Sequence, residues 1–453
     1  MFIVAKGQGP LPSCGELLHR RMHHSAGATR DPLTLLLDQE TARLDWLLPV
    51  RHSRMAQNAF SFFRGSAAVM AADLARQPHS GLMVQLCGDA HLLNFGFFAS
   101  PERQLLFGIN DFDETYPGPY EWDVIRLAAS VLLAARSNGC SSAAQELICS
   151  QGLRAYAKAM HRFAEMPFIP MWVAHLPLQP LIKEQSSKNF RHHLRSVVRA
   201  ALQRDSRQAV RKLCESDGSG GLQFRHDPPL LWRHSELPSD VLGGLHWREW
   251  VETAFERYKL SLRPEMRHFL ARYHLADAAL KAVGVGSVGT RCSVGLFIGE
   301  SADDVLVLQS KQAVASVLAS YLPGPVPVHQ GERVVQGQRL LQTASDVFLG
   351  WTTSSLNHDF YWRHFRDWKG SVVVECLDVD GLTDYARLCG WTLAKAHARS
   401  GDRRAIAADL GKPKLFAQRL IPIAGQHAQW AHEDHALLLE GIARGQIESS
   451  SLV

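Results

Sequence analysis

Residues 88–113 of the chain read GDAHLLNFGFFASPERQLLFGINDFD, and their pattern predicts a β-hairpin that carries a cluster of acidic and amide side chains. Two apolar runs, Phe95 to Ala99 and Leu105 to Ile109, flank a Pro-containing turn, which is typical of two antiparallel strands. Counting outward from the turn places Asn94 opposite residue 110, beside Asp111. Asp89 precedes Asn94 closely, so we expect these side chains to meet at one edge of the hairpin.

The oxygen atoms of this cluster suit a hard divalent cation. Magnesium binds through one or two protein carboxylates, together with waters and substrate phosphates. We therefore predict that the Asn94 amide and one of the carboxylates Asp89 and Asp111 hold Mg²⁺, which leaves the other Asp free to accept a proton from a nucleophile. Asp and Asn also cap turns, which is the alternative for each residue taken alone. For the whole set, a bound cation is the better explanation, because acidic side chains crowded in an apolar stretch repel one another unless a cation lies among them.

A second cluster, at residues 284–289, has the spacing G-x-G-x-x-G. A dinucleotide-binding fold would need a helix directly after it. Here the residues after the glycines alternate and then read as a strand. The pattern therefore favours a glycine loop that folds over nucleotide phosphates between two strands. The predicted cofactor-binding residues of this loop are Gly284, Gly286, Ser287, Gly289 and Thr290.

The second strand after the glycine loop ends with an isolated lysine. Val305 to Gln309 is an apolar run, and Lys311 closes it. We expect Lys311 to hold phosphate groups and to pair with a glutamate on the next helix. A surface position at the strand end is the alternative. Glu332 is the predicted partner, and Gln336 lies one turn later on the same helix face.

Both clusters resemble those of small-molecule kinases. Gly88 to Asn94 with Asn110 to Asp113 resembles the catalytic loop and metal-binding motif of aminoglycoside phosphotransferases and choline kinases, with Cys87 where those enzymes have a histidine. Segments along nearly the whole chain also resemble an uncharacterised bacterial family, domain of unknown function 2252. These segments are Phe62 to Gly65, Gly88 to Gly96, Asn110 to Glu114, Gly118 to Asp123, Val283 to Arg291 and Ala396 to Asp402.

The resemblance implies a protein-kinase-like enzyme that uses ATP and Mg²⁺ as cofactors, with Asp89 and Lys311 as its catalytic residues. It also implies that Asn94 and Asp111 hold Mg²⁺, with Asp113 as a second acid, and that Asp89 orients or deprotonates the acceptor. The order of the clusters is reversed relative to an ordinary kinase, in which the glycine loop comes first. We therefore expect an α+β, bilobal, protein-kinase-like fold that is circularly permuted, since chain termini often lie close together. The expected parts are a helical part at 1–280 with the catalytic loop and metal-binding hairpin, a small β-rich part at 281–375, and helices at 376–453 that complete the large lobe.

The composition excludes several other classes of protein. The chain has 453 residues, 46% of them hydrophobic and 21% charged, which excludes intrinsic disorder, collagen and coiled coil. A net charge of +5 is too small to indicate nucleic-acid binding, but it is compatible with a local basic pocket. Eight cysteines without a CxxC pair, and no apolar stretch of spanning length, favour a cytoplasmic protein with reduced thiols and no membrane span.

The expected partners are a nucleotide and an unidentified acceptor. A small molecule is favoured over a protein, because the helical region 140–280 resembles the part in which small-molecule kinases build acceptor sites. Adenylyl transfer or nucleotide-binding regulation without transfer would use the same ATP site. A metal-dependent hydrolase would use Asp89, His91, Asp111 and Asp113, but it leaves the glycine loop and its lysine unexplained.

Four features near the clusters have expected roles of their own. We expect Asp123 to brace the catalytic loop or cap the next helix, and His91 to hydrogen-bond within the loop. Arg64 is a candidate for phosphate contact or for a structural ion pair. Arg191 to Lys212 forms a basic helix face, which is either solvated or a binding surface for an anionic substrate.

Overall fold

The computed structural model of the chain describes residues 30–238, 241, 244–282 and 284–450. It is mixed α and β with a large helical part, which confirms the α+β prediction. The helices are α1 (Pro32–Glu40), α2 (Leu48–Ala56), α3 (Ala59–Gly65), α4 (Ala67–Leu74), α5 (Tyr120–Ser137), α6 (Ser142–Glu165), α7 (Phe168–Val173), α8 (Leu178–Lys183), α9 (Lys188–Leu202), α10 (Ser206–Leu213), α11 (Trp247–Leu260), α12 (Pro264–Leu270), α13 (Gln330–Leu341), α14 (Val379–Ser400), α15 (Arg403–Leu410) and α16 (Pro413–Ala443).

Six strands form one antiparallel sheet in the order β11–β12–β10–β9–β8–β7. The strands of the chain are β1 (Met83–Leu86), β2 (Phe95–Ala99), β3 (Leu105–Ile109), β4 (Tyr116–Pro119), β5 (Cys214–Ser216), β6 (Leu222–Phe224), β7 (Leu231–Arg233), β8 (His274–Lys281), β9 (Cys292–Ile298), β10 (Val305–Gln312), β11 (Gly350–Thr353) and β12 (Asp359–His364). The glycine-rich segment joins β8 to β9, and Lys311 lies near the end of β10. Strand β7 and most of β8 lie before residue 281, although both belong to this sheet. The expected division into three parts, with a boundary at residues 280 and 281, stays a prediction.

The hairpin with the acidic cluster has the predicted strands. β2 pairs with β3, and Phe95 lies opposite Ile109, so the predicted alignment of Asn94 with residue 110 is confirmed. The segment Tyr116 to Pro119 forms strand β4 and pairs with β1. Two prolines are tolerated there because each strand of a two-stranded sheet has an open edge.

One large core joins helices from the two ends of the chain. Helix α14 packs along α6, and α16 packs on both α5 and α6. Gly390 of α14 is required at the crossing, because a Cβ there would lie 2.3 Å from the carbonyl oxygen of Gly152 on α6. A second core packs α11 against the six-stranded sheet through aromatic side chains such as Tyr258 and Trp362. The sheet and the helical part therefore meet along a cleft.

Two broader expectations concern membranes and cysteines. Within the described ranges, no helix is long and apolar enough to cross a membrane. The cysteines that the structure describes form no disulfides, while Cys14 lies outside the described residues.

Candidate functional site

A cavity of about 830 Å³ lies in the cleft and contains most of the predicted site residues. Its size is in the range of small-molecule and cofactor sites. The predicted residues that line it are Asp89, Asn94, Asp111, Asp113, Gly284, Gly286, Ser287 and Lys311. Two predicted cofactor-binding residues, Gly289 and Thr290, do not line it. The two sequence clusters therefore share one cavity despite their distance along the chain.

Asp123 braces the turn that carries Asp89, which confirms one of the two expected roles. Its carboxylate accepts hydrogen bonds from the backbone amides of Cys87, at 2.8 Å, and Gly88, at 3.0 Å. His397 of α14 lies 3.3 Å from the same carboxylate. Gly88 has φ of +85°, and a Cβ there would lie 2.1 Å from the carbonyl oxygen of Glu114, so the turn requires glycine.

The carboxylate of Asp89 is held in one orientation by α5. Arg126 Nε donates to one oxygen at 2.6 Å, and His91 Nε2 lies 3.5 Å from the other, which is an ion-pair distance and not the expected hydrogen bond. Burial alone would raise the pKa of Asp89, but Arg126 and His91 lower it below its usual value. Asp89 is therefore an ionised acceptor that can orient a hydroxyl group at the cavity wall.

The predicted metal ligands lie side by side on the hairpin. The backbone amide of Asn110 donates to the carbonyl of Asn94 at 2.8 Å, which puts Asp111 next to Asn94. Asn94 Nδ2 donates to the backbone carbonyl of Asp89 at 2.7 Å, so the side-chain oxygen of Asn94 remains for a cation. Burial would raise the pKa of Asp111, but Lys311 and other nearby cations lower it to about 2.

Lys311 pairs with the hairpin and not with a helix. Its Nζ contacts Asp113 directly and lies 3.6 Å from Asp111. Burial would lower the pKa of Lys311, but these two carboxylates hold it well above its usual value. The predicted partner Glu332 is therefore wrong, and Gln336 is exposed on α13. The expected partner was a glutamate on the next helix, whereas the acid comes from the hairpin across the cleft.

The carboxylate of Asp113 contacts three other side chains. Besides Lys311, it accepts hydrogen bonds from Ser287 Oγ at 3.2 Å and Tyr361 Oη at 2.7 Å. No group of three or more His, Cys, Asp or Glu side chains in the described residues is arranged to hold a metal ion. Asp111 and the Asn94 amide nevertheless fit Mg²⁺, which takes few protein carboxylates. A role for Asp113 as a metal ligand would require it to leave Lys311.

The glycines of the loop divide into two kinds. Gly284 is exposed with open space at its Cβ position, and the nearest atom to a Cβ on Gly286 is the Arg64 carbonyl oxygen at 3.5 Å. Gly289 has φ of +93°, and a Cβ there would lie 2.9 Å from Arg43 Cβ. Thr290 Oγ1 donates to the carbonyl of Ser287 at 2.8 Å. The first two glycines leave backbone open to the cavity, whereas Gly289 and Thr290 shape the loop.

A family of related sequences matches a range of the chain that includes both clusters. A sequence model described as "Uncharacterized protein conserved in bacteria (DUF2252)" matches residues 43–441. The chain belongs to this family. No curated protein and no solved structure matches the chain. Because the family description names no activity, the function has to be argued from the cavity.

The sequence pattern did not predict that two arginines, Arg43 and Arg51, bind backbone carbonyls of the glycine loop. We call these contacts the clamp on the loop. Arg51 of α2 is fully buried and donates to the carbonyls of Val285 and Gly65, each at 2.7 Å, while its Nε bonds Glu40 at 2.9 Å. Arg43, at the start of the matched range, donates to the carbonyl of Val288 at 2.6 Å. These contacts bridge distant segments, so no local periodicity could have revealed them.

Two cations of the cavity, Arg363 and Lys369, had no expected role, whereas Arg64 was a candidate for phosphate contact or a structural ion pair. Arg64 lines the cavity, and its buried Nε has no hydrogen-bond partner among the described residues. Arg363 and Lys369 also line it, on β12 and on the segment after it. The alternation along β12 is a signal in the sequence for Arg363, because residues two apart on a strand share a face, as Tyr361 and Arg363 do.

Proposed function

We propose that the protein is an ATP- and Mg²⁺-dependent phosphotransferase that acts on a hydroxyl acceptor. The observation that carries this proposal is the meeting of the glycine loop, Lys311 and the acidic hairpin at Asp113. A nucleotide whose phosphates lay on Lys311 would reach both the loop amides and a metal on the hairpin. That arrangement is the one that phosphoryl transfer requires, because catalysis there depends on positioning and on stabilised charge.

Each residue would have a defined part in this reaction. Asp111 and Asn94 would hold Mg²⁺, which would neutralise charge on the phosphates. Lys311 and the open backbone at Gly284 and Gly286 would bind the phosphate oxygens. Asp89, kept ionised and oriented by α5, would direct the acceptor hydroxyl toward the transferred group.

The charge of the cavity supports a polyanionic ligand. Among the residues that line it, nine are Lys or Arg and six are Asp or Glu. Bound Mg²⁺ would increase this positive excess. A nucleoside triphosphate brings several negative charges in a compact chain and would balance it. Arg64, with a buried and unpartnered Nε beside the loop, would be available to the transferred phosphoryl group.

The order of elements supports a permuted kinase-like fold. From β8 onward, the chain runs through strand, glycine loop, strand, lysine strand, helix and two strands before α14. This is the order implied by the resemblance to kinases. Helices α5 and α6, which follow the catalytic loop, share one core with α14 and α16 from the other end of the chain. In this proposal the large lobe is formed by both ends, and the acceptor is a small molecule bound at the cavity mouth.

A thermal-shift titration with ATP and Mg²⁺ tests the nucleotide site. We expect the melting temperature of the wild type to rise with ligand concentration, and the Asp111→Ala and Lys311→Ala variants to respond much less. Lys395→Met is the matched control, because Lys395 is a buried lysine of α14 that does not line the cavity. An equal response in all four proteins would contradict the proposal.

Product analysis tests the reaction itself. The protein is incubated with ATP, Mg²⁺ and pools of hydroxyl-bearing small molecules, and the nucleotide products are identified by mass spectrometry. We expect ADP and a phosphorylated acceptor, with Asp89→Asn strongly reduced in rate. Pyrophosphate together with an adenylylated acceptor would indicate adenylyl transfer in place of phosphoryl transfer.

A further inference from the structure

The cavity continues past Lys311 to two more cations, the partly buried Arg363 and Lys369. In the sheet, Lys311 lies opposite Tyr361, and Gln309 lies opposite Arg363. Residues two apart on a strand point to the same face. Arg363 is therefore one row further along the same wall of the cavity than Lys311.

The surrounding structure anchors the side chain of Arg363 and the backbone of Lys369. Arg363 Nε donates to Gln309 Oε1 at 2.9 Å. Lys369 lies in the segment after β12, where Arg204 donates to its backbone carbonyl. The next residue, Gly370, pairs with Phe97 of β2 through backbone hydrogen bonds. The fold therefore sets the position of the Arg363 guanidinium and the place in the chain from which Lys369 reaches the cavity.

In the part of the chain that the structure describes, neither cation has a carboxylate within ion-pair distance. Asp111 and Asp113 act on them electrostatically but contact Lys311. Burying a cation without a counterion is costly. Burial, together with the nearby Arg363, lowers the pKa of Lys369 to about 7. An anion placed between the two would remove this cost.

We propose that Arg363 and Lys369 form a second anion subsite, which takes a phosphate-type group separate from the one at Lys311. The guanidinium offers a planar pair of donors and the ammonium a point charge, a combination suited to phosphate oxygens. The group could come from the polyphosphate tail of the nucleotide or from a phosphate on the acceptor. Only the role of Lys311 in this picture rests on the proposed function.

Calorimetric titration with pyrophosphate, without nucleotide or metal and at constant ionic strength, tests the subsite. We expect the wild type and Lys395→Met to bind, and Lys369→Met and Arg363→Gln to bind about tenfold more weakly, the loss typical of a charged hydrogen bond. Lys395 is a suitable control because burial also lowers its pKa to about 7. Pyrophosphate binding that is equal in all four proteins, or absent from the wild type, would overturn the proposal.

The stability of the free variants separates ligand binding from a structural role. Lys369→Met should unfold at the same denaturant concentration as the wild type or a higher one, because a buried cation without a counterion is replaced by an apolar side chain. A marked loss of stability would indicate a structural lysine and would count against the subsite. If Lys369→Met folds poorly, Arg363→Gln still provides the comparison of pyrophosphate binding.

A second titration identifies the source of the anion. Orthophosphate is titrated into protein saturated with a non-hydrolysable ATP analogue and Mg²⁺. Binding that persists and depends on Lys369 assigns the subsite to a phosphorylated acceptor. Binding that the nucleotide abolishes assigns it to the polyphosphate tail. If the analogue fails to bind while pyrophosphate still binds through Lys369, the subsite stands and the proposed function fails.

Discussion

Individual buried side chains such as His234 make the stability of this protein depend on pH. His234 is fully buried, and its Nε2 lies 3.0 Å from Ser293 Oγ. Burial lowers the pKa of His234 to about 3. The neutral form is thus favoured in the folded state, whereas the unfolded chain takes up a proton below its ordinary pKa of about 6.5. The stability that this histidine contributes is full above that pKa and is lost as pH falls toward 3.

His234→Gln should therefore flatten the pH dependence of stability. Each neutral buried histidine lowers the free energy of unfolding by about 1.4 kcal/mol per pH unit below pH 6. Denaturant unfolding at several pH values between 6 and 4 measures this slope in the wild type and the variant. We expect the variant slope to be smaller by about that amount. His192→Gln, at an exposed position, is the control, and an equal slope in all three proteins would contradict the prediction.

Among the structural elements, the glycine loop combines an open part with a constrained part. Its first glycines leave backbone uncovered toward the cavity, while its end is held against Arg43 of the N-terminal segment. The two parts can be separated by substitution, because a new methyl group meets open space at Gly284 and a strained, crowded position at Gly289. The loop thus allows ligand contact and stability to be measured independently.

Gly284→Ala should weaken nucleotide binding, whereas Gly289→Ala should lower stability. Gly289→Ala should lower the free energy of unfolding by about 1–2 kcal/mol, because an L-residue is strained at positive φ. Gly284→Ala should leave stability within about 0.5 kcal/mol of the wild type and weaken binding of the ATP analogue. Chemical denaturation and calorimetry measure the two quantities. Unchanged nucleotide binding in Gly284→Ala would show that this backbone does not face the phosphates.

The elements with a local pattern were predictable from the sequence. The two hairpins carry apolar runs around recognisable turns, so β2, β3, β9 and β10 were located within a few residues. The pairing of Lys311 was not predictable, because an acid on a distant hairpin reaches it only through the tertiary fold. The clamp by Arg51 and the position of Lys369 have the same origin, since long-range contacts leave no periodic signal.

At the level of the whole molecule, the C-terminal residues are linked to the glycine loop through α2. His52 Nδ1 lies 2.7 Å from the carbonyl oxygen of Glu448, and Ser53 Oγ donates to the carbonyl of Ser450 at 2.7 Å. The preceding residue, Arg51, is the one that binds the loop carbonyl. The end of the chain therefore supports the helix that holds the loop over the cavity.

Removing residues 446–453 should loosen the glycine loop without touching it. Hydrogen–deuterium exchange should be faster in peptides covering α2 and residues 284–290 of the truncated protein, and unchanged in α6. A loop with wild-type exchange in a truncated protein whose α2 exchanges faster would show that α2 does not hold the loop.

The most direct test of the nucleotide site is a crystal structure with Mn²⁺ and a non-hydrolysable ATP analogue. Anomalous scattering locates the Mn²⁺ ion, which stands in for Mg²⁺. We predict the ion on the Asp111 carboxylate with the Asn94 side-chain oxygen as a further ligand, and phosphate oxygens on Lys311 and beneath the glycine loop. An analogue bound outside this cavity, or a metal ion away from Asp111, would contradict the proposed phosphotransferase site.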